Sequence, residues 1–401
     1  MITREDCERL DARDPLRAFR DEFLLPEGVI YLDGNSLGAL PRRTPERVRE
    51  MVEREWGEGL IRSWNTAGWY DLPRGLGDRL APLVGAAPGQ IVVCDSTSVN
   101  LFKVLSAALR LRPGRRAVVC DADSFPTDLY ISEGIEHVTR RMICPDDLEA
   151  HLDDQVAVVV LSHVDYRTGR LYDMAAITEL VHRHGALMIW DLCHSAGALP
   201  VHLDDRAVDF AVGCTYKYLN GGPGSPAFLY AARRHHQSAA QPLTGWFGHA
   251  DPFAFDPGYT PAPGVGRFLV GTPPLLSLAG LQASLDLWEK VDLAQLRAKS
   301  LSLTGLFAGL THNLDLATPA EHPDERGSQV SFHHSNGYPV VQALADRGII
   351  GDFRTPDIMR FGFAPLYLSH TDVWDAAAIL TEILATESWR DPRYAARAAV
   401  T

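Results

Sequence analysis

At 401 residues the chain is long enough for one large domain with a smaller companion and an ample core. Its 46% hydrophobic and 22% charged residues are ordinary for a folded enzyme. With 51 acidic against 38 basic side chains the net charge is -13, which argues against a nucleic-acid surface, and no apolar run approaches the roughly eighteen residues of a membrane span.

The first twenty residues are charged rather than leader-like, so a cytoplasmic protein is expected. Residues 5–23 read as a helix, and 29–32 as a short strand entering the turn Asp33-Gly34-Asn35-Ser36-Leu37-Gly38. Thr44 before Pro45 reads as a capped helix start, with a ring that fixes the first helical dihedral, and that helix should run to about Gly57. Trp56, Trp64 and Trp69 follow closely; Trp56 and Trp69 are expected in the core.

From Gln90 onward strand and helix alternate. Strands are expected over 91–94, 116–120, 138–143, 156–162, 186–190, 208–214 and 227–230, with helices over 98–109, 127–134 and 173–184. This predicts an α/β fold with a mostly parallel central sheet covered by helices on both faces. Ligands in that architecture sit at the carboxyl ends of the strands. Residues 241–272 form a long loop rich in Gly, Pro and aromatics, two helices follow over 274–291 and 293–310, and 329–388 mixes strands and helices. The domains are expected as an N-terminal segment over 1–60 packing with the small domain, a large domain over 61–291 and a small α+β domain over 292–401. Six scattered cysteines, Cys7, Cys94, Cys120, Cys144, Cys193 and Cys214, have no paired metal spacing and read as reduced core thiols; no metal is expected.

Thr215 to Ser225 (TYKYLNGGPGS) carries the chemistry. Lys217 follows an apolar strand and precedes a glycine-rich turn, and an amine held there can condense with an aldehyde. Lysines before glycine turns are commonly solvated, so the segment alone proves little. Asp191 changes the balance: it ends the buried run 186–190, where a carboxylate can pair with a protonated pyridine nitrogen. The order Asp-x-x-His at Asp191 and His194, one further strand, then Lys217, points to pyridoxal phosphate (PLP). Singly, Asp191 would pass for a helix cap and His194 for a packed histidine. Ser96-Thr97-Ser98 supplies hydroxyls and backbone N–H groups for a phosphate at a helix start. Phe125 stacks on the ring or belongs to the core, and Asp128 bonds the ring or caps its helix. Arg360, among apolar neighbours in 358–363, and Arg354 compete as carboxylate binders.

Several segments together resemble kynureninase, a fold-type-I PLP enzyme of the aminotransferase class V group. They are YLDGNSLG (31–38), LIRSWNTAGW (60–69), DSTSVNL (95–101), SFPTD (124–128), DLCHSAGALP (191–200), TYKYLNGGPGSPAF (215–228), GWFGH (245–249) and RFGFAPLY (360–367). The resemblance covers nearly the whole chain. It implies hydrolysis of L-kynurenine or its 3-hydroxy form to anthranilate or 3-hydroxyanthranilate and L-alanine, in tryptophan degradation through the kynurenine pathway. It makes Lys217 the cofactor-bound lysine, Asp191 the pyridinium partner, and Thr97 with Ser98 part of the phosphate cradle. Phe125 would stack, Asp128 and His194 would support the cofactor, and Tyr216 would reach the phosphate and relay a proton. Trp246 would also reach the phosphate, from a neighbouring subunit as in the family's homodimers, and Thr272 would be a further cofactor contact. Arg360 would hold the substrate carboxylate, with Asn35, Ser36 and Trp64 at the aromatic end. Thr272 stands where some members carry asparagine, which leaves the choice between the two kynurenines open. The rival readings are another class V enzyme, aminotransferase or cysteine desulfurase, and a non-catalytic PLP-fold protein.

Overall fold

The alternation after Gln90 folds as a seven-stranded sheet of β1 (Ile91–Val93), β2 (Ala117–Asp121), β3 (Thr139–Ile143), β4 (Val156–Ser162), β5 (Leu187–Asp191), β6 (Phe210–Gly213) and β7 (Phe228–Ala231). In the computed structural model, which describes residues 2–319 and 322–397, the order is β1-β7-β6-β5-β4-β2-β3. Only β7 runs against its neighbours, with Phe228 opposite both Val93 and Gly213; the other pairings are parallel. β4 and β5 are buried at every position, as uninterrupted apolar strands covered on both faces must be. Because β1 is antiparallel to β7, its carboxyl end lies on the same side as those of β2, β4, β5 and β6. Those ends collect the residues singled out above.

A second, antiparallel sheet contains β8 (Asp315–Leu316), β9 (Gln329–His333), β10 (Asp352–Arg354) and β11 (Ile358–Gly362), in the order β8-β9-β11-β10. Asp352 and Arg360 are direct cross-strand partners. The N-terminal segment ties the two sheets together. Its strand Ile30–Tyr31 pairs with Ile349–Ile350, Asp33 bridges Gly362, and the Gly38 N–H donates to the Tyr216 carbonyl at 2.8 Å. A Cβ at Gly38 would stand 2.2 Å from the Lys217 carbonyl oxygen, so only glycine lets this segment lie against the lysine loop. No helix among the described residues is long and apolar enough to cross a membrane.

Four local expectations need correction. The helix expected over 5–23 stops at Ala12 and resumes as a 3₁₀ stretch over Arg17–Glu22, because Pro15 disfavours helical geometry at Asp14. Thr44 is the first residue inside its helix rather than the cap, and its hydroxyl is buried without a partner. Beyond Glu50 the helix widens to π geometry over Met51–Glu58. There Met51 and Glu55 face inward, Glu55 accepting the Trp69 indole N–H at 2.7 Å, which leaves Trp56 57% exposed instead of in the core. Five cysteines are buried thiols, but Cys144 is exposed just after β3. The ends of the expected segments at Met1 and over 398–401 lie outside the described residues.

Candidate active site

Lys217 lies four residues beyond β6. The loop that carries it is closed by the Gly221 N–H donating to the Thr215 carbonyl at 2.9 Å, and by the Thr215 hydroxyl reaching the Pro226 carbonyl at 2.6 Å. Asn220 turns this loop at φ 56°, a left-handed position that asparagine tolerates, and its amide donates to the Ala39 carbonyl at 3.1 Å. The ammonium is 3.0 Å from His194 Nε2. Burial, then the charge of Lys217, hold His194 well below the ordinary histidine range. The imidazole is therefore neutral, and Nε2 accepts from Lys217.

Asp191 ends β5 on the wall of the same cavity, which encloses about 480 Å³. Its Oδ1 accepts the Cys193 N–H at 2.9 Å. Burial raises its pKa against the opposing pulls of Cys193 and Lys217. Asp128 is raised well above the carboxylate range, first by burial and then by Asp191. An incoming cation would reverse that logic.

Thr97 and Ser98 open the helix Thr97–Arg110 at the cavity edge, where the Ser96 hydroxyl accepts the Val99 N–H at 3.3 Å. Asp95, in the left-handed region at φ 47°, is tied to the fully buried Lys103, which also donates to the Phe268 carbonyl at 2.7 Å. Tyr216 lines the cavity, and burial keeps its hydroxyl protonated. Phe125 is 45% exposed, so it is no core residue; it lines the cavity and meets Tyr166 edge-on at 5.3 Å between ring centres.

Arg360 is 2% exposed and stands one residue behind this wall. Its Nη1 donates to the carbonyl of Tyr166, a cavity residue, at 2.6 Å. Its Nε and Nη2 fork onto Asp352 at 2.7 and 2.5 Å. Ser36 donates to Asp352 at 2.6 Å and receives Arg360 Nη2 at 3.1 Å, while Arg354 reaches Asp352 at 2.8 Å. Burial opposes ionisation of Asp352, but its bonds to Arg360 and the two guanidinium charges together hold it below the usual range.

The remaining candidates lie apart from the cavity within one chain. Asn35 is buried with its amide donating to Gln329 Oε1 at 3.2 Å, and Thr272 is exposed in the loop whose next wall residue is Pro274. Trp64 packs edge-on against Trp246 at 6.4 Å, and Trp246 borders a separate surface hollow with His249 and Phe255. Tyr166 and Asp352 were missed. Tyr166 follows β4 by four residues, the offset of Lys217 after β6, and that parallel could have found it; nothing in the sequence marks Asp352 as the partner of Arg360.

These residues fit PLP. Asp128 Oδ2 and His194 Nδ1 are buried without partners beside the cavity, as polar atoms awaiting a ligand would be. A family model described as Kynureninase C-terminal domain matches residues 296–380. Curated kynureninases of Burkholderia pseudomallei (strain K96243) and Pseudomonas fluorescens are 52% and 53% identical, each over 100% of both chains. A cysteine desulfurase from Thermococcus onnurineus NA1 superposes with a TM-score of 0.78 at 19% identity, covering 92% of this chain and 98% of that one. A C-DES variant with glycine covalently linked to its PLP cofactor gives 0.80 at 20% identity over 90% and 98%. The solved structures establish the fold-type-I frame, and identity above one half along the entire length settles the rest: the chain belongs to the kynureninase family.

Proposed function

We infer that this chain is a PLP-dependent kynureninase that hydrolyses L-kynurenine, its 3-hydroxy form or both, giving anthranilate or 3-hydroxyanthranilate and L-alanine. The observation that carries the site is Lys217, 3.0 Å from a neutral His194, on a cavity shared with Asp191. PLP, when bound, supplies an electron-withdrawing ring that stabilises charge at the substrate α carbon. Lys217 is the residue that holds the cofactor and then takes the α proton. His194 orients that amine. Asp191 keeps a negative charge where the pyridine nitrogen needs one, and Asp128 backs it. Thr97 and Ser98 would hold the cofactor's phosphate at the helix start, with Tyr216 beside them, and Phe125 would supply an aromatic face for its ring.

Arg360 holds the substrate carboxylate, with Arg354 as its neighbour and Ser36 shared between them. Asn35 and Trp64 line the aromatic end, where Thr272 bears on the choice between the two kynurenines. Water adds to the side-chain ketone, the bond between the β and γ carbons breaks, and the Tyr216 hydroxyl, kept protonated by burial, relays a proton to the alanine fragment. Trp246 serves the site of a second subunit in a homodimer. That reading is supported by the solvent-exposed rings of Trp246, Phe253 and Phe255 on one loop, Phe255 being 84% exposed. Residues 1–60 act as a strap on the small domain over 292–401, and 61–291 form the cofactor domain. The enzyme works in the cytoplasm, where its six unpaired cysteines stay thiols, within tryptophan degradation.

The test is to incubate the PLP-loaded protein with each kynurenine and assay alanine release. Release from neither substrate, with PLP demonstrably bound, would overturn the assignment.

A further inference from the structure

We propose that Asp33 takes up a proton when a carboxylate ligand settles against Arg360, so that charge at the substrate end is balanced by a residue of the N-terminal segment. The inference rests on the reading of Arg360 as the carboxylate site and goes beyond it.

The geometry is that of a closed charge cluster. Asp352 is shared by Arg360 and Arg354 and also accepts the Ser36 hydroxyl, so its oxygens are engaged. Asp33 is brought beside this group because it bridges Gly362, two residues beyond Arg360 in β11, and the Gly362 N–H donates to the Leu32 carbonyl at 2.7 Å. Asp33 Oδ1 is shut off from water and has no hydrogen-bond partner. The titratable groups that face it are Asp352, Arg354, Arg360 and the phenols of Tyr31, Tyr218 and Tyr367. Tyr31 and Tyr218 spend their hydroxyl protons on the carbonyls of Leu37 and Ser328, each at 2.8 Å. The Tyr367 hydroxyl is buried without a partner, but burial holds it well above the ordinary phenol range, so all three phenols stay neutral and none changes the charge count around Asp33.

With Asp33 ionised, two guanidinium groups face two carboxylates and the cluster is neutral. An arriving substrate carboxylate would then be a third anion among two cations, beside the buried Arg360 and Asp352, where water screens charge only weakly. With Asp33 protonated the cluster carries one net positive charge, which the ligand cancels. The proton is exchangeable near neutrality, because burial and then the charge of Asp352 push Asp33 up to about 7, against smaller pulls from Ser36, Arg360 and Arg354. Binding should therefore weaken as the pH rises above that value, because the free enzyme must first recover a proton. Asp33 is a positioning residue here: it acts through Arg360 and does not touch the substrate.

The probe is 4-oxo-4-phenylbutanoate, an aryl ketone with the carboxylate but no amine, so it cannot condense with the cofactor. Its binding to the PLP-loaded enzyme is followed by calorimetry in paired buffers of different ionisation enthalpy. Close to one proton should be taken up per site at about pH 8 and close to none at about pH 5.5, with Kd rising up to about tenfold per pH unit above 7. Asp33→Asn should abolish the uptake and flatten the pH profile of Kd. A wild type that binds without proton uptake at the higher pH overturns the proposal, as does an unchanged uptake in Asp33→Asn. Should that variant fail to fold, the wild-type pH profile decides alone, a flat Kd refuting the linkage. Arg360→Gln separates the two layers: loss of probe binding keeps the carboxylate-site reading whatever the proton count, whereas binding equal to wild type removes that reading itself.

Discussion

The cavity at Lys217 and the cluster at Arg360 both bury charge, but they treat it differently. Around Lys217, Asp128 Oδ2 and His194 Nδ1 have no partners, and burial has pushed the carboxyls of Asp128 and Asp191 up and the imidazole of His194 down. Around Arg360 nearly every donor is already answered by Asp352, Ser36 or a carbonyl. A site left unsatisfied is one that a separate, charged molecule completes. A site internally paired holds its cation in one orientation, which suits the carboxylate-binding role proposed for Arg360.

The sharpest way to break that contrast is Lys217→Ala. Alanine release from kynurenine should fall by on the order of 10⁴-fold or more, since no other lysine among the described residues lines the cavity, while the fold persists; retention of turnover would remove the lysine from the chemistry. Asp352→Asn comes next. It withdraws the counter-charge of a buried guanidinium, so stability should drop by about 3 kcal/mol and KM should rise more than kcat falls, read from urea melts and steady-state kinetics. Gly38→Ala probes the contact between the two regions. With its Cβ 2.2 Å from the Lys217 carbonyl, about 1–3 kcal/mol should be lost and the cofactor's absorbance band should shift.

The smallest effect lies away from both. Burial acts against ionisation of Asp209, but bonds from His182 at 2.7 Å and His235 at 2.8 Å, with the Met188 N–H, hold its pKa below the ordinary carboxylate value. A depressed carboxylate stabilises the fold fully above its unfolded pKa of about 3.9 and loses that contribution as pH falls toward the folded value. Melting curves below about pH 4 should therefore show a loss on the order of 1 kcal/mol per pH unit from this group, absent in Asp209→Asn.

What the sequence made legible follows the range of the forces involved. Asp191 and Lys217 were readable because strand ends are announced locally, by apolar runs that stop at a turn. Arg360 stood out by its apolar neighbours, and the resemblance added Ser36, which meets it across more than 300 positions of chain. Asp352 escaped because its pairing with Arg360 is set by the register of an antiparallel hairpin, and a shift of one residue would have put the carboxylate on the other face. Trp56 misled because hydrophobic size was read as burial, while a π-helical turn moved the inward face onto Met51 and Glu55. Thr272 and Trp246 stand off the cavity of a single chain, where local pattern carries no information about a second one.

Gly38 has a mechanical meaning as well. Because residues 30–38 are stitched at one end to the strands of the smaller sheet and rest at the other on the backbone of the catalytic loop, they work as a tie rod. Severing it by a protease cut between the two attachments, at the exposed Leu37, should lower turnover without altering any of the side chains proposed to hold the cofactor.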